Sequence, residues 1–291
     1  MAETITRPPF NGINNFRDVG RVINAYRAYD NDDIEVAKLP RLREGMVLRS
    51  GRLDDATAED ADLMVNSYRL KTVIDLRTKS EVLNRKTISR NQEKGPSCGE
   101  KRWNTVKVNL IGRKFEMNLV QQLRWWQALW FFVLMLLQRR MTAIRIIGRN
   151  VMSPKGLVGL NKDSLQFCQY GILQALEVYL DPQAYPVLVH CTQGKDRSGL
   201  IIMLILFVLR IPLKFVKADY VLSNQGLDRV RASMIKEVLE IGMDEKYTQA
   251  PEEIVDEVWK FLEDGGGVDM YLDELGFGQS KRQKLRSLLL E

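Results

Sequence analysis

Short apolar runs alternate with polar, helix-period stretches along this chain, and the alternation predicts strands and helices in turn. Residues 47–49 (VLR) and 72–77 (TVIDLR) read as short strands, the second rich in β-branched residues between polar runs. Between them Thr57 and Asp60 have capping-box spacing, and Ala61, Met64, Val65 and Tyr68 recur at helical intervals. VKVNLI at 106–111 alternates and predicts a further strand. From about Asn118 to Asn150 the composition predicts a helical hairpin. Asp163 and Gln166 have the spacing of another capped helix start, followed by Leu165, Cys168, Ile172, Leu176 and Tyr179 until Asp181-Pro182 bars continuation. VLVHC at 187–191 is apolar enough for a strand covered on both faces. Beyond residue 212 the pattern is helical to the end, punctuated by GGG at 265–267.

This order of elements predicts an α/β fold, a mainly parallel central sheet flanked by helices, with a helical hairpin insertion. Two runs, WWQALWFFVLMLL at 125–137 and GLIIMLILFVL at 199–209, are the most apolar stretches, and both fall short of the roughly 20 residues a bilayer-spanning helix needs. Both read as buried core helices. The Trp-rich run carries two further readings, a lid over a site and a membrane-surface contact through Trp and its flanking arginines.

Composition narrows the partners. The net charge of +6 favours anionic ones: nucleic acid, phospholipid headgroups or phosphorylated proteins. KRQKLR at 281–286 reads as a solvated basic face rather than a DNA-reading helix, so no nucleic-acid partner is expected. Three scattered cysteines, Cys98, Cys168 and Cys191, make neither a disulfide framework nor a zinc spacing, which points to a reducing, cytoplasmic setting. MAETITRPPFNG lacks the apolar core of a secretory signal.

The chemistry concentrates in LVHCTQGKDRSGL, residues 188–200, between the apolar strand and the apolar helix. Open α/β sheets bind ligands at the carboxyl ends of their strands, where the following helix offers free N–H groups and a favourable dipole to an anion. The same field stabilises a thiolate at Cys191. Arg197, six residues on, comes round to pair its planar guanidinium with phosphate oxygens. Thr192, Gln193, Gly194, Lys195 and Asp196 line the loop; Gly194 permits the tight turn, and Ser198 is placed to donate to the sulfur as it leaves. His190 orients the loop by hydrogen bonding. A nucleotide-binding P-loop does not fit, since Val189 and Asp196 stand where that motif needs Gly and Ser or Thr.

HCTQGKDRSG resembles the signature loop of microbial, cysteine-dependent tyrosine phosphatases. NNFRDVG (14–20), VLRSGRL (47–53), VIDLRTKSE (73–81), ADYVLSN (218–224) and GGGVDMYLDELG (265–276) resemble further blocks of that family, with Arg21 where a second glycine is common. The resemblance implies one phosphatase domain over 1–291 with a three-layer fold, 115–150 as a lid-like helical insertion and 212–291 as a helical C-terminal part. It implies a phosphocysteine intermediate on Cys191, Arg197 as phosphate clamp, and no metal or cofactor. The proton donor is Asp196 by resemblance to relatives with Lys-Asp in the loop, with Asp75 second; Asp163 is assigned to helix capping. Arg17 and Asp18 either brace the site or form a structural ion pair. The substrate is a phosphotyrosyl or mixed phosphoprotein, the alternative a phosphoinositide favoured by a second positive charge from Lys195. A catalytically inactive phosphate-binding adaptor is the reading of another class. A reactive thiolate at 191 would also oxidise readily, with Cys168 or Cys98 as a resolving partner.

Overall fold

The computed structural model describes residues 10–29, 39–78, 81–82 and 102–291. Its sheet has the order β1-β2-β5-β3-β4, where β1 is Arg17–Asp18, β2 Val47–Ser50, β3 Thr72–Asp75, β4 Asn104–Lys107 and β5 Val187–His190. β1 pairs antiparallel with β2, and every other pairing is parallel. β5 therefore lies centrally, bonded to β2 on one side and β3 on the other, which accounts for its uninterrupted apolar sequence. Leu48, Val73 and Leu188 stand level across the three strands. They pack on one face with Phe10, Ile13, Phe16 and Met64. Val47, Ile74, Val187 and Val189 enter the larger core on the other face. The three central strands are buried on both faces while edge strand β4 is largely exposed, the expected mainly parallel α/β arrangement.

The helices are α1 Val19–Tyr29, α2 Ala58–Asn66, α3 Arg113–Gln121, α4 Trp125–Leu136, α5 Arg140–Ile147, α6 Ser153–Phe167, α7 Gln169–Val178, α8 Asp196–Val208, α9 Leu213–Gly226, α10 Arg231–Glu240, α11 Glu253–Asp264, α12 Val268–Glu274 and α13 Gln279–Leu289. The capping box at Thr57 and Asp60 forms as its spacing predicts. In α8 every residue from Ser198 to Val208 is buried, so this apolar run is a core helix.

Four expectations change. The strand at 106–111 is Asn104–Lys107 instead, because its ladder ends where β3 ends, although Val108 and Leu110 are still buried. Asp163 caps nothing: it lies inside α6, which begins at Ser153 with a proline in its first turn and kinks at Gly156, and it accepts from Asn118 Nδ2 at 3.2 Å and pairs with Lys155. The basic run 281–286 is not simply solvated. It lies within α13, where Arg282 is buried and donates to Asp273 at 2.6 Å, while Arg286 Nε donates to the Val208 carbonyl at 2.7 Å. Finally, the Trp-rich run is not a core helix. In α4 only Gln127 is buried; Ala128 and Phe131 pack partly on the core, Val133 and Leu134 are half-buried, and the other side chains are exposed.

Candidate active site

The loop 191–195 connects β5 to α8 and lies at the carboxyl ends of the parallel strands. The buried Cys191 Sγ accepts from the Gly194 N–H at 3.2 Å, so the backbone turns inward on the sulfur. Gly194 makes that turn with φ +68°, and a Cβ there would stand 2.0 Å from the Ser50 carbonyl oxygen. Only glycine lets the loop lie this close to the end of β2. The outer edge of the loop is anchored elsewhere: the Thr192 carbonyl accepts from Arg52 N–H at 3.0 Å, and the Gln193 carbonyl from Asn15 Nδ2 at 3.0 Å.

Beneath the loop is a buried ionic brace assembled from three distant segments. Arg49 Nη2 donates to the carbonyls of Gly194 (2.7 Å) and Lys195 (3.2 Å), while its Nη1 donates to Asp219 at 2.5 Å. Arg17 completes the brace with Nε to Asp219 (2.8 Å), Nη2 to Ser223 (3.0 Å) and Nη1 to Asn15 Oδ1 (2.5 Å). Burial pushes the Asp219 carboxyl up, but the two arginines outweigh it and hold the group below its usual range. Burial and the neighbouring Arg49 bring Arg17 down to about 10 despite Asp219. By drawing two loop carbonyls outward, Arg49 supports the inward turn that the Gly194 N–H makes toward the sulfur, the orientation an anion requires. Arg17 therefore braces the loop, but through Asp219 and not through Asp18. Asp18 accepts from Gly45 N–H at 2.6 Å and Arg21 N–H at 3.3 Å, and burial raises its carboxyl to about 6.

Arg197, in the first turn of α8, makes a two-point pair with Glu81: Nη1 to Oε2 at 2.8 Å and Nη2 to Oε1 at 2.6 Å. Thr192 Oγ1 donates to the same carboxylate at 2.7 Å. Burial pushes Glu81 up, yet Arg197, Thr192 and the Thr78 N–H bring it down to about 2; Arg197 is correspondingly raised, its partner outweighing its own burial. Glu81 thus fixes the guanidinium plane beside the cysteine loop.

The remaining loop residues divide. Asp196 begins α8 with its side chain 38% exposed and its Oδ1 at 3.4 Å from Lys195 Nζ. Ser198 is fully buried, and its hydroxyl has no hydrogen-bond partner among the described residues. Lys195 does not lend its charge to an open pocket. Its ammonium is wholly buried and donates to the carbonyls of Tyr247 (2.5 Å) and Gln249 (2.7 Å), tying the loop to the segment before α11. His190 shares a hydrogen bond between Nδ1 and the Cys191 carbonyl at 3.1 Å, and burial lowers its basicity although Asp75 lies 3.8 Å from Nε2. Asp75 is held in a two-point pair by Arg77, with both oxygens at 2.9 Å from guanidinium nitrogens, and Arg77 also pairs with Asp54. Burial pushes Asp75 up, but Arg77 and His190 more than offset it and leave the carboxyl below its ordinary value. Cys168 is buried and unpaired, and burial pushes its thiol up to about 11, which makes it a poor resolving nucleophile. Cys98 lies outside the described residues.

A sequence model of the tyrosine phosphatase family matches residues 8–291, nearly the whole chain. The chain belongs to the tyrosine phosphatase family. The blocks 14–20, 47–53, 73–81 and 218–224 each send a residue to the site: Asn15 and Arg17, Arg49, Glu81, Asp219 and Ser223. Among curated proteins, the chain is similar to the triple specificity protein phosphatase PtpB of Mycobacterium tuberculosis, at 27% identity over 127 residues. That match covers 36% of this chain and 44% of PtpB, so it spans less than half the length of that relative. Among solved structures, the core catalytic domain of PP-IP phosphatase SIW14 from S. cerevisiae, in complex with citrate, aligns with a TM-score of 0.31 at 15% identity, covering 78% of this chain and 94% of that one.

Arg49, Asp219 and Glu81 carry no role in the sequence reading. All three stand inside the family-like blocks, and a charged residue directly after apolar Val47 and Leu48, as Arg49 is in β2, signals a buried partner.

Proposed function

We propose that this chain is a cysteine-dependent phosphatase that hydrolyses phosphate monoesters, with phosphotyrosyl or mixed phosphoprotein substrates as its main class. The observation that carries the reading is the Cys191 sulfur, facing an inward N–H at the end of a parallel strand, with Arg197 fixed at the same loop. In the first step the Cys191 thiolate attacks phosphorus: the S–P bond forms, the bond to the leaving oxygen breaks, and Asp196 gives that oxygen its proton. Loop N–H groups and Arg197 take up the charge on the equatorial oxygens, a contribution of roughly 3 to 4 kcal/mol per well-placed donor. In the second step water attacks phosphorus, Asp196 accepts the water's proton, the S–P bond breaks and inorganic phosphate leaves. Ser198 has a buried hydroxyl with no partner among the described residues, which supports it as the donor to the departing sulfur.

Asp196 is preferred to Asp75 on two grounds. It is partly exposed, as a donor to substrate must be, whereas Asp75 is buried and its pair with Arg77 favours the carboxylate that has no proton to give. The similar PtpB is named a triple specificity protein phosphatase, which supports a phosphoprotein substrate. The argument for a phosphoinositide from a second basic side chain in the pocket loses its footing with Lys195 buried.

The test is turnover of phosphotyrosyl peptides, phosphoseryl peptides and individual phosphoinositides in the presence of chelator, by the full chain and by Cys191→Ser. Hydrolysis by the full chain that Cys191→Ser abolishes supports the reading, and the ranking of substrates assigns the class. Tight phosphopeptide binding without turnover would make the protein a phosphate-binding adaptor instead.

A further inference from the structure

α4 is the most apolar helix among the described residues, and the fold leaves one side of it bare. Its attachment is one-sided: Ala128 and Phe131 touch the core, Val133 and Leu134 are half-buried, the helix packs along α5, and Gln127 accepts from the Arg124 N–H at 3.0 Å and donates to Asn150 Oδ1 at 2.9 Å. Away from that attachment, Trp125 is 80% exposed, Trp130 58%, Phe132 59% and Leu136 84%, and Leu129 and Leu137 are also exposed. Large apolar side chains exposed together on one helix differ from the singly scattered ones of an ordinary surface and mark an interaction site.

Charge identifies the occupant. Residues 113–150 contain seven basic residues (Arg113, Lys114, Arg124, Arg139, Arg140, Arg145, Arg149) and one acidic residue, Glu116, a surplus of six that equals the net charge of the whole chain. Arg124 and Arg139 bracket the bare face at its two ends, and both are exposed. A second copy of this chain fits poorly there, because pairing the faces would bring two strongly basic segments together. Exposed tryptophans beside arginines, on a helix with an apolar outer face, match the boundary between anionic headgroups and acyl chains. At 12 residues α4 is about 18 Å long, well short of the roughly 30 Å hydrocarbon core, so it lies in the plane of the surface rather than across it. No helix among the described residues is long and apolar enough to cross a membrane.

We propose that α4 is a membrane-surface anchor, which inserts Trp125, Leu129, Trp130, Phe132 and Leu136 into an anionic bilayer while Arg124 and Arg139 meet its headgroups. The anchor concerns where the protein sits and stands independently of the reading of Cys191.

The experiment is flotation of the full chain with vesicles of phosphatidylcholine alone and of phosphatidylcholine with phosphatidylserine, at low and high salt, together with tryptophan emission. Three of the five tryptophans lie in α4, all of them exposed, so insertion shifts the emission to the blue. Binding is expected on the phosphatidylserine vesicles, weakened by salt and lost in Trp125→Gln/Trp130→Gln. Arg124→Gln/Arg139→Gln should weaken it roughly 25-fold, since each arginine at an anionic surface is worth about fivefold. Both double variants alter exposed side chains that lie outside the cysteine loop and its brace, and each should retain the wild-type thermal midpoint and turnover of a small soluble aryl phosphate. Failure to bind phosphatidylserine vesicles, or binding that both variants retain, overturns the proposal. So does a concentration-dependent dimer abolished by Trp125→Gln/Trp130→Gln in a protein that ignores vesicles, which would assign the face to a second copy.

Discussion

Replacing Arg49 by methionine keeps most of the side-chain volume and removes every polar contact the guanidinium makes. Three hydrogen bonds disappear: one to Asp219 and two to the carbonyls of Gly194 and Lys195. The Gly194 carbonyl, left without a donor, costs about 1 to 3 kcal/mol, whereas the Lys195 carbonyl keeps the Gly199 N–H at 2.9 Å. Two features reduce the total. Asp219 keeps Arg17 as its partner, and the variant removes both the buried repulsion between Arg17 and Arg49 and an Arg49 Nε that has no partner of its own. The net destabilisation is therefore about 3 kcal/mol, at the lower edge of what breaking a buried pair usually costs. At roughly 2 to 4 °C per kcal/mol for a chain of this size, the unfolding midpoint falls by about 6 to 12 °C. The catalytic effect should be larger than that loss of stability suggests. Without Arg49 the carbonyl of Gly194 loses the donor that orients its peptide, and an error near 1 Å in the phosphate donors costs about 10²-fold in kcat. Thermal unfolding and steady-state turnover of an aryl phosphate, measured well below the lowered midpoint, check both numbers. A variant with kcat within about threefold of wild type and a midpoint within about 2 °C would refute the idea that this brace sets the loop.

The proton donor separates by leaving group. Asp196→Asn should depress kcat by roughly 10² to 10⁴ on an alkyl phosphate and much less on a nitrophenyl ester, whereas Asp75→Asn should act equally on both; the reverse pattern transfers the role to Asp75. Asp18 gives a stability prediction with a definite sign. Its carboxyl rises from 3.8 to about 6 on folding, so the stability it adds is complete below pH 3.8 and is lost as pH climbs through about 6. Asp18→Asn should therefore gain on wild type between pH 4 and pH 7 in denaturant titrations, and a difference that stays flat with pH would contradict the burial argument.

The cysteine loop was readable because its signals are local: an apolar strand, a polar turn with one glycine, then an apolar helix, all within about twenty residues. What supports the loop was not, since Arg49 reaches Asp219 across 170 positions and Arg197 reaches Glu81 across 116, and no periodicity encodes such partners. Lys195 shows the same limit at short range: its sequence neighbours face the loop, yet its own chain leaves on the opposite side to find the carbonyls near residue 248. α4 and α8 are both apolar without a preferred face, so sequence alone could not tell that the fold covers all sides of one and only one side of the other. At Asp163 the spacing of a capping box arose by coincidence inside a helix that had already started at Ser153.

The central claim is that phosphate passes through a covalent bond to Cys191. Acid quench of the full chain during turnover of a labelled aryl phosphate in chelator, followed by peptide mapping, observes that bond directly. The account predicts transient label on Cys191 that accumulates in Asp196→Asn at the water-dependent step and is absent from Cys191→Ser. Turnover with the label on another residue, or turnover that survives in Cys191→Ser, would contradict it.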